Sequence, residues 1–121
     1  MRRIVVIDDC RLTLAIARDI LEQGGYEVFT AESGIDANNI IYGAARPDLI
    51  LLDVEMPMLR GDRKVQLLKK SERSRDIPVV LISNRPAAEL AAIARACGAD
   101  GYLVKPLRKD SLLEHLSRFV P

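Results

Sequence analysis

Four short apolar runs constrain this chain more than anything else in it: residues 4–7 (Ile-Val-Val-Ile), 49–52 (Leu-Ile-Leu-Leu), 79–82 (Val-Val-Leu-Ile) and 102–104 (Tyr-Leu-Val). None alternates apolar with polar, as a strand with one wet face does. Short, uninterrupted and rich in Val, Ile and Leu, they read as strands covered on both faces of a parallel sheet. Residues 27–31 (Glu-Val-Phe-Thr-Ala) are more mixed and read as an edge strand.

Segments of helical period separate these runs. Leu14, Ala17 and Leu21 mark one face of a first helix, flanked by Ile16 and Ile20 and stopped by Gly24-Gly25. Ser33, with Asp36 three residues on, resembles a capping box opening a second helix to about residue 45. Pro47 then forces the chain to extend into the third strand. Further helices are expected over about 60–73, 86–98 and 109–119, the fourth opened by Pro86 and closed by Gly98. Strand thus alternates with helix throughout, and right-handed crossovers put helices on both faces of the sheet. The expectation is an α/β, flavodoxin-like, doubly wound sheet of five parallel strands with five helices. The order 2-1-3-4-5 is one common arrangement, though periodicity does not select it over others.

At 121 residues the chain suits one compact domain, residues 1–121. Hydrophobic residues at 49% supply a core, and 29% charged residues supply a wet surface, which argues against disorder. A net charge of +1 gives no reason to expect a nucleic-acid partner. No stretch is long enough to cross a bilayer, and the run after Arg2-Arg3 is too short for a signal peptide. Cys10 and Cys97 lie in no metal-binding spacing and suit a reducing, cytoplasmic location.

The chemistry lies where the strands end. The first runs into Asp8-Asp9, the third into Asp53, the fourth into Ser83 and the fifth into Lys105-Pro106. In a parallel sheet these ends share one rim. Carboxylates about 5 Å apart, at an effective dielectric near 20, repel by about 3 kcal/mol per pair. Such a group either holds a proton or binds a cation. Hard oxygen donors without His or Cys suit Mg²⁺. A cation there screens an incoming phosphoryl group and favours Asp53 as a nucleophile, while Lys105 and the Ser83 hydroxyl are donors for phosphoryl oxygens.

These clusters, together with Asp53-Val54-Glu55-Met56-Pro57, Gly61 and the run from Gly98 to Pro106, closely resemble the receiver domain of two-component response regulators. The resemblance covers essentially the whole chain. It implies a phosphoprotein of a two-component or phosphorelay system, phosphorylated on Asp53 by a histidine kinase or histidine phosphotransfer protein. Mg²⁺ would be held by Asp53 and Asp9, by Asp8 mainly through water, and by the backbone carbonyl of Glu55. Lys105, across a cis peptide to Pro106, would bridge to the phosphoryl group. Ser83 would turn inward on phosphorylation and Tyr102 would follow, changing the surface of the fourth helix, fifth strand and fifth helix. That surface would meet a downstream target protein and, by family habit, a second copy of the chain. The implied role is a switch rather than an enzyme, assisting only its own phosphoryl transfer and dephosphorylation.

The chain departs from the family pattern at Asn84, where a small residue is usual, at Arg60, and at Asn38, where Leu is common. Asn84 borders the phosphoryl position. Glu55 and Arg85 each lie two residues beyond a site residue, and their opposite charges suggest a pair across the site mouth that impedes the hydrolytic water. Cys10 follows two acids, which would raise its pKa, and reads as structural. His115 reads as exposed. The alanine-rich fourth helix offers Leu90 and Ile93 as its large anchors and is expected to be either weakly held or simply a good helix. Two other functions remain open. One is a receiver-like interaction module that never uses phosphate. The other is a Mg²⁺-dependent phosphatase, for which the chain has neither an evident general acid nor a cap insertion.

Overall fold

The computed structural model describes residues 1–121. Five strands form one sheet: β1 (Arg3–Ile7), β2 (Glu27–Ala31), β3 (Leu49–Asp53), β4 (Val79–Ser83) and β5 (Gly101–Val104). All pairings are parallel, in the order β2-β1-β3-β4-β5. The helices are α1 (Arg11–Gln23), α2 (Asn38–Ile41), α3 (Gly61–Lys70), α4 (Ala87–Cys97) and α5 (Lys109–Ser117).

The non-alternating runs have a simple outcome. Ile4, Val5, Val6 and Ile7 are all fully buried, as are residues 49–52 and 79–82. Side chains of a strand point alternately to opposite faces, so these runs feed two cores. Val5, Ile7, Ile50, Leu52, Val79 and Leu81 pack with Ile41 of α2, Val65 and Leu68 of α3, and Leu90 of α4. Ile4, Val6, Leu49, Leu51, Val80 and Ile82 pack with Leu14 and Leu21 of α1 and with Leu112 and Leu116 of α5. Each fully buried aliphatic side chain contributes about 1.5–3 kcal/mol. The central strands β1, β3 and β4 therefore hold the rim that carries the acids.

Two elements differ from the sequence expectation. The second helix is confined to Asn38–Ile41 and preceded by turns over residues 34–37. Ser33 does accept the Asp36 N–H on its Oγ, at 3.0 Å, and the Ala37 N–H on its carbonyl. The capping turn forms, but Gly34 and Gly43 flank a segment too short to continue as a full helix. The fifth strand is the second edge of the sheet, beside the expected edge at β2. It alternates in burial, with Tyr102 and Val104 both 38% exposed, because it has a neighbour on one side alone. The fourth helix closes on Gly98, whose φ of 87° is left-handed, a conformation costly to any residue with a Cβ. Its buried residues are Leu90, Ala94 and Cys97, with Ile93 packed at the margin.

Candidate functional site: an acidic rim closed by one lysine

Strand register brings the site together. The C-terminal residues of β1 and β3 run side by side, Ile7 opposite Leu52, so Asp8 and Asp53 emerge next to each other. Asp53 in turn pairs with Ile82, one residue before Ser83, and Ser83 pairs with Val104, one residue before Lys105. Asp8, Asp9 and Asp53 each present a carboxylate oxygen within 4.8 Å of the others. Asp8 is fully buried and Asp53 is 3% exposed, while Asp9 is exposed.

Lys105 closes the cluster. Its Nζ lies 2.7 Å from Asp8 Oδ2 and 3.1 Å from Asp53 Oδ1. The following peptide to Pro106 is cis, as expected. Burial drives the Asp53 carboxyl up from 3.8 to about 6, helped by the neighbouring Asp8 charge and opposed by Lys105. Burial pulls Lys105 down, but hydrogen bonding and charge from Asp8 and Asp53 outweigh it and hold its pKa above the ordinary lysine value. One ammonium thus faces three carboxyl groups, a local excess of negative charge. The buried Asp8 Oδ2 has the Lys105 ammonium, 2.7 Å away, as its close partner and keeps lone-pair capacity to spare. A buried oxygen with that capacity beside two further hard oxygen donors, with no His or Cys present, fits a small divalent cation such as Mg²⁺.

The loop leaving β3 passes close over the acids. Gly61 donates its N–H to the Val54 carbonyl at 2.9 Å, and a Cβ at position 61 would stand 2.0 Å from the Asp53 carbonyl oxygen. Hence glycine is required there. Met58, at the tip, has a φ of 70° and is almost fully exposed.

Glu55 and Arg85 pair across the site mouth, as the sequence suggested. Arg85 Nε donates to Glu55 Oε1 at 2.7 Å and Nη2 donates to Oε2 at 3.1 Å, a two-pronged contact. Arg60 Nη1 adds a second cation 3.5 Å from Oε2. The Arg85 hydrogen bonds, helped by the Ser83 hydroxyl, hold the Glu55 carboxyl below its ordinary pKa against the opposing effect of burial. Ser83 is fully buried; its Oγ donates to Glu55 Oε1 at 2.9 Å and accepts the Arg85 N–H at 3.1 Å. The Arg60–Glu55 contact and the Ser83–Glu55 bond are the features that sequence reasoning missed. The offset of two residues pointed to Arg85, but nothing in the sequence aims a serine hydroxyl at Glu55.

Asn84 is exposed and, with Cys10, Leu12, Thr13, Ile16, Lys105 and neighbours, lines a cavity of about 200 Å³ beside the acids. Cys10 corrects the sequence expectation. It is exposed, and hydrogen bonds from Thr13 lower its pKa more than Asp8 and burial raise it. His115 is a second correction. It is half-buried, its Nε2 has no partner, and it occupies the space that a Cβ at Gly101 would need. Burial pushes its pKa below the ordinary imidazole value. Tyr102 lies partly exposed on β5.

Fold and rim together define a doubly wound α/β domain with a lysine-closed acidic site at the carboxyl ends of its strands. The family comparison is direct: residues 4–117 match the response regulator receiver domain, and the chain belongs to that family. Protein PilG of Pseudomonas aeruginosa is 33% identical over 119 residues, covering 98% of this chain and 87% of PilG. The structure of Vibrio cholerae chemotaxis protein CheY4 superposes with a TM-score of 0.89 at 30% identity, over 98% of both chains. The receiver domain of sensor histidine kinase PA1611 from P. aeruginosa, solved with a magnesium ion in its active site cleft, has the same fold, with a TM-score of 0.87 at 24% identity over 98% of this chain and 97% of that one. No helix of the present chain is long and apolar enough to cross a membrane.

Proposed function

We propose that this receiver domain is a phosphorylation switch in which Asp53 accepts a phosphoryl group from a phosphohistidine donor, a histidine kinase or histidine phosphotransfer protein. The observation that carries the reading is the position of Asp53: nearly buried, within 4.8 Å of two other carboxylates, and 3.1 Å from a lysine ammonium. A carboxylate oxygen of Asp53 attacks phosphorus, the phosphorus–nitrogen bond to the donor imidazole breaks, and the electron pair leaves on that nitrogen, which is then protonated. Asp9, Asp53 and the Glu55 carbonyl would hold Mg²⁺, with Asp8 acting mainly through water, and the ion would offset the charge of the carboxylates and of the phosphoryl oxygens. Lys105 supplies a second, fixed cation for the phosphoryl group.

Ser83 donates to the phosphoryl oxygen in the phosphorylated state, and Tyr102 follows it. The α4-β5-α5 surface, where Tyr102 and Val104 are already partly exposed, then meets a downstream target or a second copy of the chain in the cytoplasm. Asn84, Glu55 and Arg85 set how long the phosphate lasts. The whole chain, 1–121, acts as one receiver unit with no nucleic-acid or membrane contact of its own.

Incubation with Mg²⁺ and acetyl phosphate, followed by weighing the intact protein, tests this. A phosphoryl adduct present in the wild type and lost in Asp53→Asn is expected. No adduct favours a phosphate-independent interaction module, and steady hydrolysis of many phosphate esters favours a phosphatase.

A further inference from the structure

The Ser83 hydroxyl has one proton to give and two places to give it. A serine oxygen offers a single O–H donor and two acceptor lone pairs. In this structure the donor is spent on Glu55 Oε1 at 2.9 Å, and one lone pair takes the Arg85 N–H at 3.1 Å. Ser83 is fully buried, so water does not compete for that proton. The acceptor is also well held: Glu55 is gripped through both oxygens by Arg85, and Arg60 Nη1 lies 3.5 Å from its Oε2. Arg85 is anchored further by Glu89 Oε1 at 3.4 Å, on the first turn of α4.

We propose that Glu55, fixed by Arg85 and Arg60, is a latch that withholds the Ser83 hydroxyl from the phosphoryl site. This inference rests on the reading of Asp53 as the phosphoacceptor, and it gives Glu55 a positioning role exerted through Ser83. For Ser83 to donate to a phosphoryl oxygen on Asp53, its bond to Glu55 must break. The Glu55 carboxylate stays neutralised by its two arginines, so release strands no buried charge and the latch is reversible. The latch also links site to surface. Arg85 touches Ser83 through its backbone and Glu55 and Glu89 through its side chain, so unlatching acts on the residue that joins the end of β4 to the start of α4.

A double-mutant cycle tests the latch. Four proteins are compared: wild type, Glu55→Ala, Ser83→Ala and the double variant. Each is treated with acetyl phosphate and saturating Mg²⁺, and the Asp53 phosphorylation rate constant is taken from intact-mass time courses run long enough for slow variants. A serine bond to a charged acceptor implies a gain of about tenfold or more on Glu55→Ala when Ser83 is present. In the Ser83→Ala background the same substitution is expected to change nothing. An equal gain in both backgrounds overturns the latch, because Glu55 then acts by its charge on the incoming anion. No gain in either background overturns it too. If wild type forms no adduct while remaining folded by thermal melting, the phosphoacceptor reading fails and the latch with it. A merely structural role for Glu55 would alter the melting curves without the Ser83 dependence.

Discussion

Lys105 leans toward Asp8 rather than toward Asp53: its Nζ is 2.7 Å from Asp8 Oδ2 and 3.1 Å from Asp53 Oδ1. The lysine therefore serves first as the counter-ion of a fully buried carboxylate. Removing one partner of a buried ion pair costs about 3–5 kcal/mol, because the other is left unpaired. Lys105→Met is expected to lower the stability of the protein in EDTA by an amount of that order, and Mg²⁺ is expected to restore much of it. Urea melts with and without Mg²⁺ measure both. Equal melts for wild type and variant in EDTA would mean that the pair contributes nothing.

The raised pKa of Asp53 makes a signed prediction. Its folded value, about 6, exceeds the ordinary 3.8, so between those values the folded protein holds a proton that the unfolded chain has lost. Stability of the metal-free protein then falls as pH rises through that window, and the loss is complete above about 6. A shift of roughly two pH units corresponds to about 3 kcal/mol. His115, held below its ordinary value, acts in the opposite sense, so wild type is compared with Asp53→Asn at each pH. The variant is expected to be the more stable near pH 7.5 and to lose that advantage near pH 4. A pH-independent difference would contradict the assignment.

Gly61 tolerates no side chain. A Cβ at that position would stand 2.0 Å from the Asp53 carbonyl oxygen and 2.9 Å from Val54 Cα, both of them backbone. Gly61→Ala must displace the β3–α3 loop, at a cost of about 1–3 kcal/mol by analogy with overpacked sites, and must shift the Asp53 backbone. Loss of acetyl-phosphate labelling together with a lowered melting temperature is expected; wild-type labelling would count against the close approach.

Arg85 and Glu55 are both partly exposed, so their pairing is worth little to stability. Its expected effect is kinetic. Arg85→Ala frees Glu55 and opens the site mouth, and dephosphorylation of the Asp53 adduct should quicken several-fold with little change in melting. An unchanged adduct lifetime would refute the idea that this pair shields the phosphate.

Lys64 is a buried lysine, 4% exposed, whose ammonium donates to the side-chain amide oxygen Oδ1 of Asn38, and burial lowers its pKa. This accounts for a polar residue at position 38 in α2. Asn38→Leu leaves the ammonium without that acceptor and should cost about 1–3 kcal/mol. Adding Lys64→Met should recover most of the loss, as calorimetry on both variants would show.

The amino-acid order alone determined the strands, the alternation and the rim. Residues 4–7, 49–52 and 79–82 carry no polar position, so they had to be covered on both faces, and Asp8, Asp53 and Ser83 follow from where those runs stop. Lys105 before Pro106 was legible for the same reason. Local pattern could not decide what long-range packing decides. The second helix stops short of its apparent period, β5 is wet because it is the sheet's last strand, and His115 is drawn inward by the room left at Gly101. The strand order belongs to this class as well, since several orders share one periodicity. The fate of the Ser83 hydroxyl was the least visible, because Glu55 lies 28 residues away in the chain. The neighbouring strand ends and the grip of two arginines bring that carboxylate within 2.9 Å of Ser83. A hydrogen bond depends on direction and distance between groups remote in sequence, and these exist only once the sheet has set its register.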